Sequence, residues 1–311
     1  MNLILQQVSR ISQSHAGGSR KSLSANCAVR DLLHFLEVLK LSFRRAFDHD
    51  AFGVAKAAAY SSIITFFPVL LVLGAILASS HRFEVYTGEI SDALAEILPA
   101  GSATAVEYLR SKAFHPVGFL IATSLLAVWT GSSAIVSWME GFRKAYHLPQ
   151  TWGIVKERLI ACSLVILAGI PLTFATILIA FGGEIEHRLL PHMSHAWGPL
   201  VLLVWTGIRW VTASLTSVGV IALIYHNAIP RTRPWHTVIP GAIVVTAMWF
   251  AATWLFGWYM RQSTEYSVIY GVLGVGISLL VWMYVVSLIV LIGAEFNAIL
   301  FPRTVAHRRA A

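Results

Sequence analysis

The sequence predicts an all-α membrane protein: a six-transmembrane-helix bundle with an amphipathic N-terminal interfacial helix and a helical outer loop between the first two spans. Three observations carry this expectation. The chain of 311 residues is 57% hydrophobic with a mean hydropathy of +0.69, a profile suited to a molecule solvated largely by lipid. Only 12% of its residues are charged. Six stretches, at 57–79, 116–139, 158–182, 198–225, 239–260 and 269–301, each reach the roughly 20 apolar residues that a helix needs to cross a bilayer. Barrel strands are excluded by length, because they show alternating segments of roughly 10 residues.

Taken in order, residues 1–28 form a polar Ser/Gly/Arg-rich segment with too short an apolar core for a secretory signal, and are expected to be a cytoplasmic tail. From Val29 to Phe47, apolar residues at 29, 32, 33, 36, 39, 43 and 47 follow a helical period among Arg30, Glu37, Lys40 and Arg44, as in a helix lying on a membrane interface. The connection Glu84 to Lys112 has Ile90, Leu94, Ile97 and Leu98 on one helical face and is expected to cap the outer side. The transmembrane domain is read as 29–302, followed by a second tail at 303–311. With the N-terminus inside, seventeen Lys and Arg residues fall on the cytoplasmic side and five on the other, leaving Arg209 within a span. The positive-inside rule therefore places both termini in the cytoplasm of a multi-pass inner-membrane protein. The net charge of +8 is spent on this asymmetry, so nucleic acid is not an expected partner. Cys27 and Cys162 are far apart and imply neither a disulfide framework nor a metal site.

Polar residues inside the spans carry the functional expectations. Arg209 lies 11 residues into its span, about 16 Å from the outer end as helix, where a guanidinium costs roughly 3 kcal/mol on insertion scales. Thr212 and Thr216 share its face. Either the three line a wet cavity and hold an anionic headgroup, or Arg209 is a structural cross-link to a carbonyl or an acid. Thr130, Ser133 and Ser137 repeat the pattern in the second span, where close helix packing competes with a polar pathway; Thr130 and Ser133 join the candidate cavity. Near the end of the last span, VLIGAEFNAIL sets Glu295 and Asn297 in apolar surroundings. That run of 33 residues is about 50 Å as helix, longer than the bilayer core, so Glu295 falls near the inner interface. There it is expected to meet Arg143, Lys144 or Arg158, with Glu140 alongside, as an inner gate or ion pair; a proton relay is the competing reading. Pro68 and Pro171 are expected to kink their spans. The histidines, including His187, His192 and His195 of an outer connection, suggest a solvated loop more than a metal site. No metal or cofactor is assigned, and no catalytic motif points to an enzyme.

The stretches DHDAFGVAKAAAYSSIITFFPVLLVL (48–73), LLAVWTGSSAIVSWMEGFRKAYHLPQT (125–151), RW and ALIYHNAIP around the fourth span, WHTVIPGAIVVTAMWF (235–250) and the terminal GAEFNA together resemble the YihY/BrkB family of bacterial inner-membrane proteins. The resemblance runs from about Leu33 to Leu300, and departs modestly at SSIITFFP, where members often have a more Leu-rich run. It implies six spans with cytoplasmic termini. Members are associated with resistance to serum killing and with envelope lipid export, and some carry an old ribonuclease label that no residue here supports. The resulting expectation is a flippase-like transporter of an anionic lipid or other envelope amphiphile; the alternative is a non-transporting scaffold or envelope-assembly factor. Membrane lipids, a second copy of the chain or an envelope protein are the candidate partners.

Overall fold

The computed structural model describes residues 30, 33–78, 116–189, 198–230, 234–262 and 264–302. Among them the secondary structure is helical: α1 (33–48), α2 (Ala51–Ala78), α3 (Pro116–Ala145), α4 (Ile154–Leu189), α5 (Gly198–Asn227), α6 (Ile239–Gln262) and α7 (Thr264–Leu300). A single 3₁₀ turn at Trp235–Thr237 leads into α6. Helices α2 to α7 each contain a segment long and apolar enough to cross a membrane. In hydrocarbon every backbone N–H and C=O must find its partner within the segment, which makes uninterrupted helix the solution for these sequences. The tails at 1–28 and 303–311, the outer loop from Glu84 to Lys112, and His192 and His195 lie outside the described residues.

The helices overrun the spans drawn from hydropathy. α2 begins at Ala51 rather than 57, α3 runs to Ala145 rather than 139, and α4 begins at Ile154 rather than 158. Lys56, Arg143, Lys144 and Lys156 interrupt the apolar runs, but a helix continues through charge wherever its hydrogen bonds and caps are satisfied. Helix also continues through Pro68 and Pro171.

Each helix from α3 to α7 packs on the next, α7 closes the ring on α3, and α2 lies across the α3/α7 seam. Alanines at 51, 55, 58 and 59 with Val54 form the buried face of α2, small enough for close approach. We call the end where α2 starts and α7 finishes the α1 end. There α1 packs Val38 beside Val244 and Phe296, with Phe35 edge-on to the Phe296 ring at 5.6 Å. Leu33, Leu36, Phe43 and Phe47, most of the apolar row read from the sequence, are instead exposed on α1's other side, where a lipid interface would cover them.

Burial is strongly uneven along the spans. Every residue from Ile289 to Ala298 on α7 is buried. Among the described residues none is buried from 201 to 212 on α5, from 247 to 259 on α6 or from 276 to 286 on α7. A bundle in contact along its whole length would bury a position at nearly every turn. These three neighbours are therefore packed tightly at the α1 end and only loosely beyond it.

The tight end rests on glycines where helices cross. A Cβ on Gly241 would stand 2.5 Å from the Gly293 carbonyl oxygen, and one on Gly293 would overlap Val245 and stand 2.6 Å from the Tyr225 hydroxyl. Gly293→Ala is expected to lose about 1–3 kcal/mol, the usual magnitude for overpacking. Gly219, around which a Cβ meets nothing within 4 Å, supplies the control. Thermal melting of detergent-solubilised Gly293→Ala and Gly219→Ala would show a lowered midpoint for the first and an unchanged or raised one for the second.

Candidate functional site

The α1/α2 turn positions the first group of the site. Asp50 takes a left-handed backbone, φ 57°, which an Asp tolerates better than most residues, and its carboxylate accepts the Gly53 N–H at 3.2 Å as the cap of α2. Gly53 leaves room for that cap, since a Cβ there would lie 2.5 Å from Asp50 Oδ1. The turn delivers His49 to α7, where its Nδ1 lies 2.6 Å from Glu295 Oε1. Glu295 is 2% exposed and the His49 side chain 20%. The second carboxylate oxygen, Oε2, is buried and has no hydrogen-bond partner among the described residues.

The end of α3 brings the opposing group. His147 has φ 50°, its N–H donates to the Lys144 carbonyl at 3.1 Å, and the Leu148 N–H donates to the Arg143 carbonyl at 2.9 Å. This is a Schellman cap with histidine in the place usually taken by glycine. A left-handed histidine stores roughly 1 kcal/mol or more of strain. The strained residue sets its ring edge-on to His49 at 4.9 Å between centroids. Both rings line a cleft of about 740 Å³ together with Asp48, Glu140 and Lys144. Lys144 reaches Glu140 at 3.1 Å and Asp50 at 3.6 Å. The Lys144 and Glu140 side chains are 37% and 54% exposed, so these pairs lie in water and add little stability.

Asn297 and Tyr225 fasten the helices around Glu295. Asn297, wholly buried, accepts the Gly241 N–H at 2.7 Å and donates from Nδ2 to the Val238 carbonyl at 3.1 Å, so α7 satisfies both a donor and an acceptor at the start of α6. The Tyr225 hydroxyl donates to the Val290 carbonyl, tying α5 to α7, and its ring packs edge-on to Phe142 of α3 at 5.2 Å.

The cations expected to meet Glu295 have other partners. Arg143 pairs with Glu157 of α4, both side chains nearly buried. Arg158 runs along α3, with Nη1 donating to Ser133 Oγ at 3.0 Å, Nη2 to the Trp129 carbonyl at 3.2 Å, and its guanidinium 4.5 Å from the centre of the Trp129 ring. Lys144 belongs to the cleft. Glu295 contacts His49 and Asn297 the start of α6, where the sequence pointed to Arg143, Lys144 or Arg158. The reason is geometric: Glu157 follows Arg143 by 14 residues across a short turn and occupies it first.

The expected cavity residues divide between two helices. Thr130 donates to the Leu126 carbonyl of its own helix at 2.9 Å, and Ser133 accepts from Arg158, so these α3 hydroxyls serve the helix and the α3/α4 contact. Arg209, Thr212 and Thr216 are half-buried on α5. Arg209 stands one turn before Ala213, the first residue of α5 buried among those whose burial is described, at the boundary between its loose and tight parts. Reading by residue type missed His49, His147 and Tyr225. For His49 a signal existed, since Asp50 and Gly53 mark a helix cap just after it; its partner 246 residues away had none.

Removing Arg143 leaves Glu157 buried without its cation. Arg143→Ala is expected to destabilise by about 3–5 kcal/mol, while the paired change Arg143→Met with Glu157→Leu recovers most of the loss. Unfolding of the single and double variants in mixed micelles would check this; equal losses in both would mean that packing, and not the charge, is what matters. By the same logic Asn297→Ala is expected to lose about 1–3 kcal/mol.

The residues of this site fall within the reach of a known family. The family model for virulence factor BrkB matches residues 42–311. A ribonuclease-like protein of Bacillus subtilis, YfkH, is 26% identical over 270 residues, covering 86% of this chain and 96% of that protein. A UPF0761 membrane protein of Alkalilimnicola ehrlichii is 26% identical over 266 residues, 83% of this chain and 56% of its own length. Another, of Stenotrophomonas maltophilia, is 23% identical over 284 residues, 87% and 62%. The chain therefore spans less than two thirds of these two longer relatives. No solved structure matches it. With a family match that takes in α2 to α7, every helix of the bundle, the chain is an integral membrane protein and belongs to the virulence factor BrkB family.

Proposed function

We propose that the protein moves an anionic amphiphile, such as an anionic lipid of the bacterial envelope, between the two sides of the inner membrane. The observation that supports this is the uneven burial of α5, α6 and α7: ten consecutive buried residues on α7 at the α1 end, and looser packing beyond. Such an arrangement suits one end state of alternating access, sealed on one side and parted on the other. By the positive-inside count the sealed side is the cytoplasmic one and both termini lie there. Arg209 stands where the fully buried positions of α5 end, about 27 Å of helix from Asn227, with Thr212 and Thr216 following on the same face. A guanidinium at that level suits a phosphate or carboxylate headgroup, whose acyl chains would remain between the loosened helices. The reading gives the chain no covalent chemistry; it binds and moves its substrate rather than altering it.

The test is transport itself. The protein is reconstituted in vesicles of phosphatidylcholine and phosphatidylglycerol carrying a fluorescent phosphatidylglycerol, and a membrane-impermeant quencher reports movement between leaflets. Wild type is expected to move the probe faster than protein-free vesicles, and Arg209→Ala to slow it about tenfold, equivalent to about 1.4 kcal/mol of lost transition-state binding. Wild-type vesicles no faster than protein-free ones would sink the transport reading and favour a non-transporting scaffold that engages the membrane through the apolar row of α1.

A further inference from the structure

We infer that His49 and Glu295 form a proton-binding site that loads from the α1-end cleft and whose charge state governs the seal at that end. The inference rests on the transport reading only for its consequence; the site itself stands on the geometry. Glu295 is 2% exposed, sits midway between Gly293 and Asn297 where α7 is held against α6, and uses one oxygen on His49 while the other has no hydrogen-bond partner among the described residues. A carboxylate in that position is satisfied on one side only, and an unsatisfied buried charge is costly. The contact at 2.6 Å suits either protonation state: Nδ1–H donates to a carboxylate, or a carboxylic acid donates to Nδ1.

His49 also has access to water, which Glu295 lacks. Its side chain is 20% exposed and lines the cleft. A proton taken from the cleft at His49 Nε2 releases the Nδ1 proton to Glu295 Oε1. Neutral histidine with a carboxylate, net −1, becomes neutral histidine with a carboxylic acid, net zero, and one proton has left the water.

The other charged groups near the pair come from the elements packed around it. The α1 helix brings Arg45 and Asp48, the turn brings Asp50, and α3 with its cap brings Glu140, Arg143, Lys144 and His147. Arg143 is committed to Glu157, and Lys144 to Glu140 and Asp50; Arg45, Asp48 and His147 remain as charged or titratable groups near the pair. The packed faces of α2, α5 and α6 contribute Ala51, Val54 and Ala55, the Tyr225 hydroxyl committed to Val290, and Gly241, Ala242 and Val245. Arg45 favours the carboxylate, but burial and the unmatched Oε2 oppose it, so loading a proton removes a buried charge whose hydrogen bonding is half-satisfied among the described residues. The sealed state is favoured with the proton on; loss of the proton favours a state in which Glu295 reaches water, which requires the turn and α7 to part. This gives a chain without a nucleotide-binding motif a means of drawing on a proton gradient.

Infrared difference spectra of the reconstituted full-length protein test the site without reference to transport. Acidification is expected to raise a carbonyl band of a protonated carboxylic acid. The band is expected to be lost in Glu295→Gln, and in His49→Gln to titrate at a different pH. Glu295→Gln keeps the shape and a hydrogen bond to His49, and matching melting curves would confirm that it folds. A band unchanged in Glu295→Gln, or no band in wild type, would overturn the inference. The fluorescent-lipid assay then reads the coupling. Wild-type rate is expected to change by up to about tenfold per pH unit, the limit for one linked proton, with Glu295→Gln nearly flat. Identical pH profiles in the two would remove the proton site while leaving transport standing. A titrating Glu295 band with no lipid movement would remove transport while leaving the site standing.

Discussion

The rest of the structure depends on one constraint: α7 must bury ten consecutive residues, from Ile289 to Ala298, on all sides. A helix has no hidden side of its own, so this requires neighbours all round. Helices α2, α3 and α6 supply them by packing, and α5 reaches in through the Tyr225 hydroxyl. Gly141, Gly241 and Gly293 let the backbones approach closely enough, because each stands where a Cβ would strike a neighbour. Once backbones are that close, polar groups are confined with them and must be satisfied locally. Asn297 meets the need by bonding the start of α6 through both ends of its amide.

The same constraint explains why strain gathers at this end. The turn before α2 and the cap of α3 both hold non-glycine residues in the left-handed region, Asp50 and His147. Such conformations persist when surrounding packing over-determines them. Here they set His49 against Glu295 and His147 against His49, so two unfavourable backbone conformations serve one polar cluster. Several hydroxyl groups elsewhere in the spans make no such demand. Ser61, Ser62, Thr65 and Thr253 each donate to a carbonyl one turn back on their own helix, which satisfies them with no partner helix.

The α1 end is stiff in its packing and soft in its electrostatics. Glycine crossings and buried apolar side chains respond to no signal. A carboxylate with one satisfied oxygen responds to a single proton, and a group with two stable charge states is what a bistable element needs in order to be biased.

The sequence by itself determined the class of the molecule and its six helices, because the hydrocarbon core leaves a long apolar segment no alternative to internal hydrogen bonding. Hydropathy located those helices and charge misplaced their ends: at Lys56 and Arg143 the helix continues because caps, not side-chain polarity, stop it. The sequence also singled out Glu295 and Asn297, since a carboxylate and an amide in an apolar run need partners. Which partners was decided only by the tertiary structure. Arg143 looked suited to Glu295, but Glu157 follows it after a short turn and takes it, and the histidine that does reach Glu295 lies 246 residues away in sequence. Pairings of that separation depend on the way α2 crosses α7, and residue type and helical period describe only what one helix does along its own length.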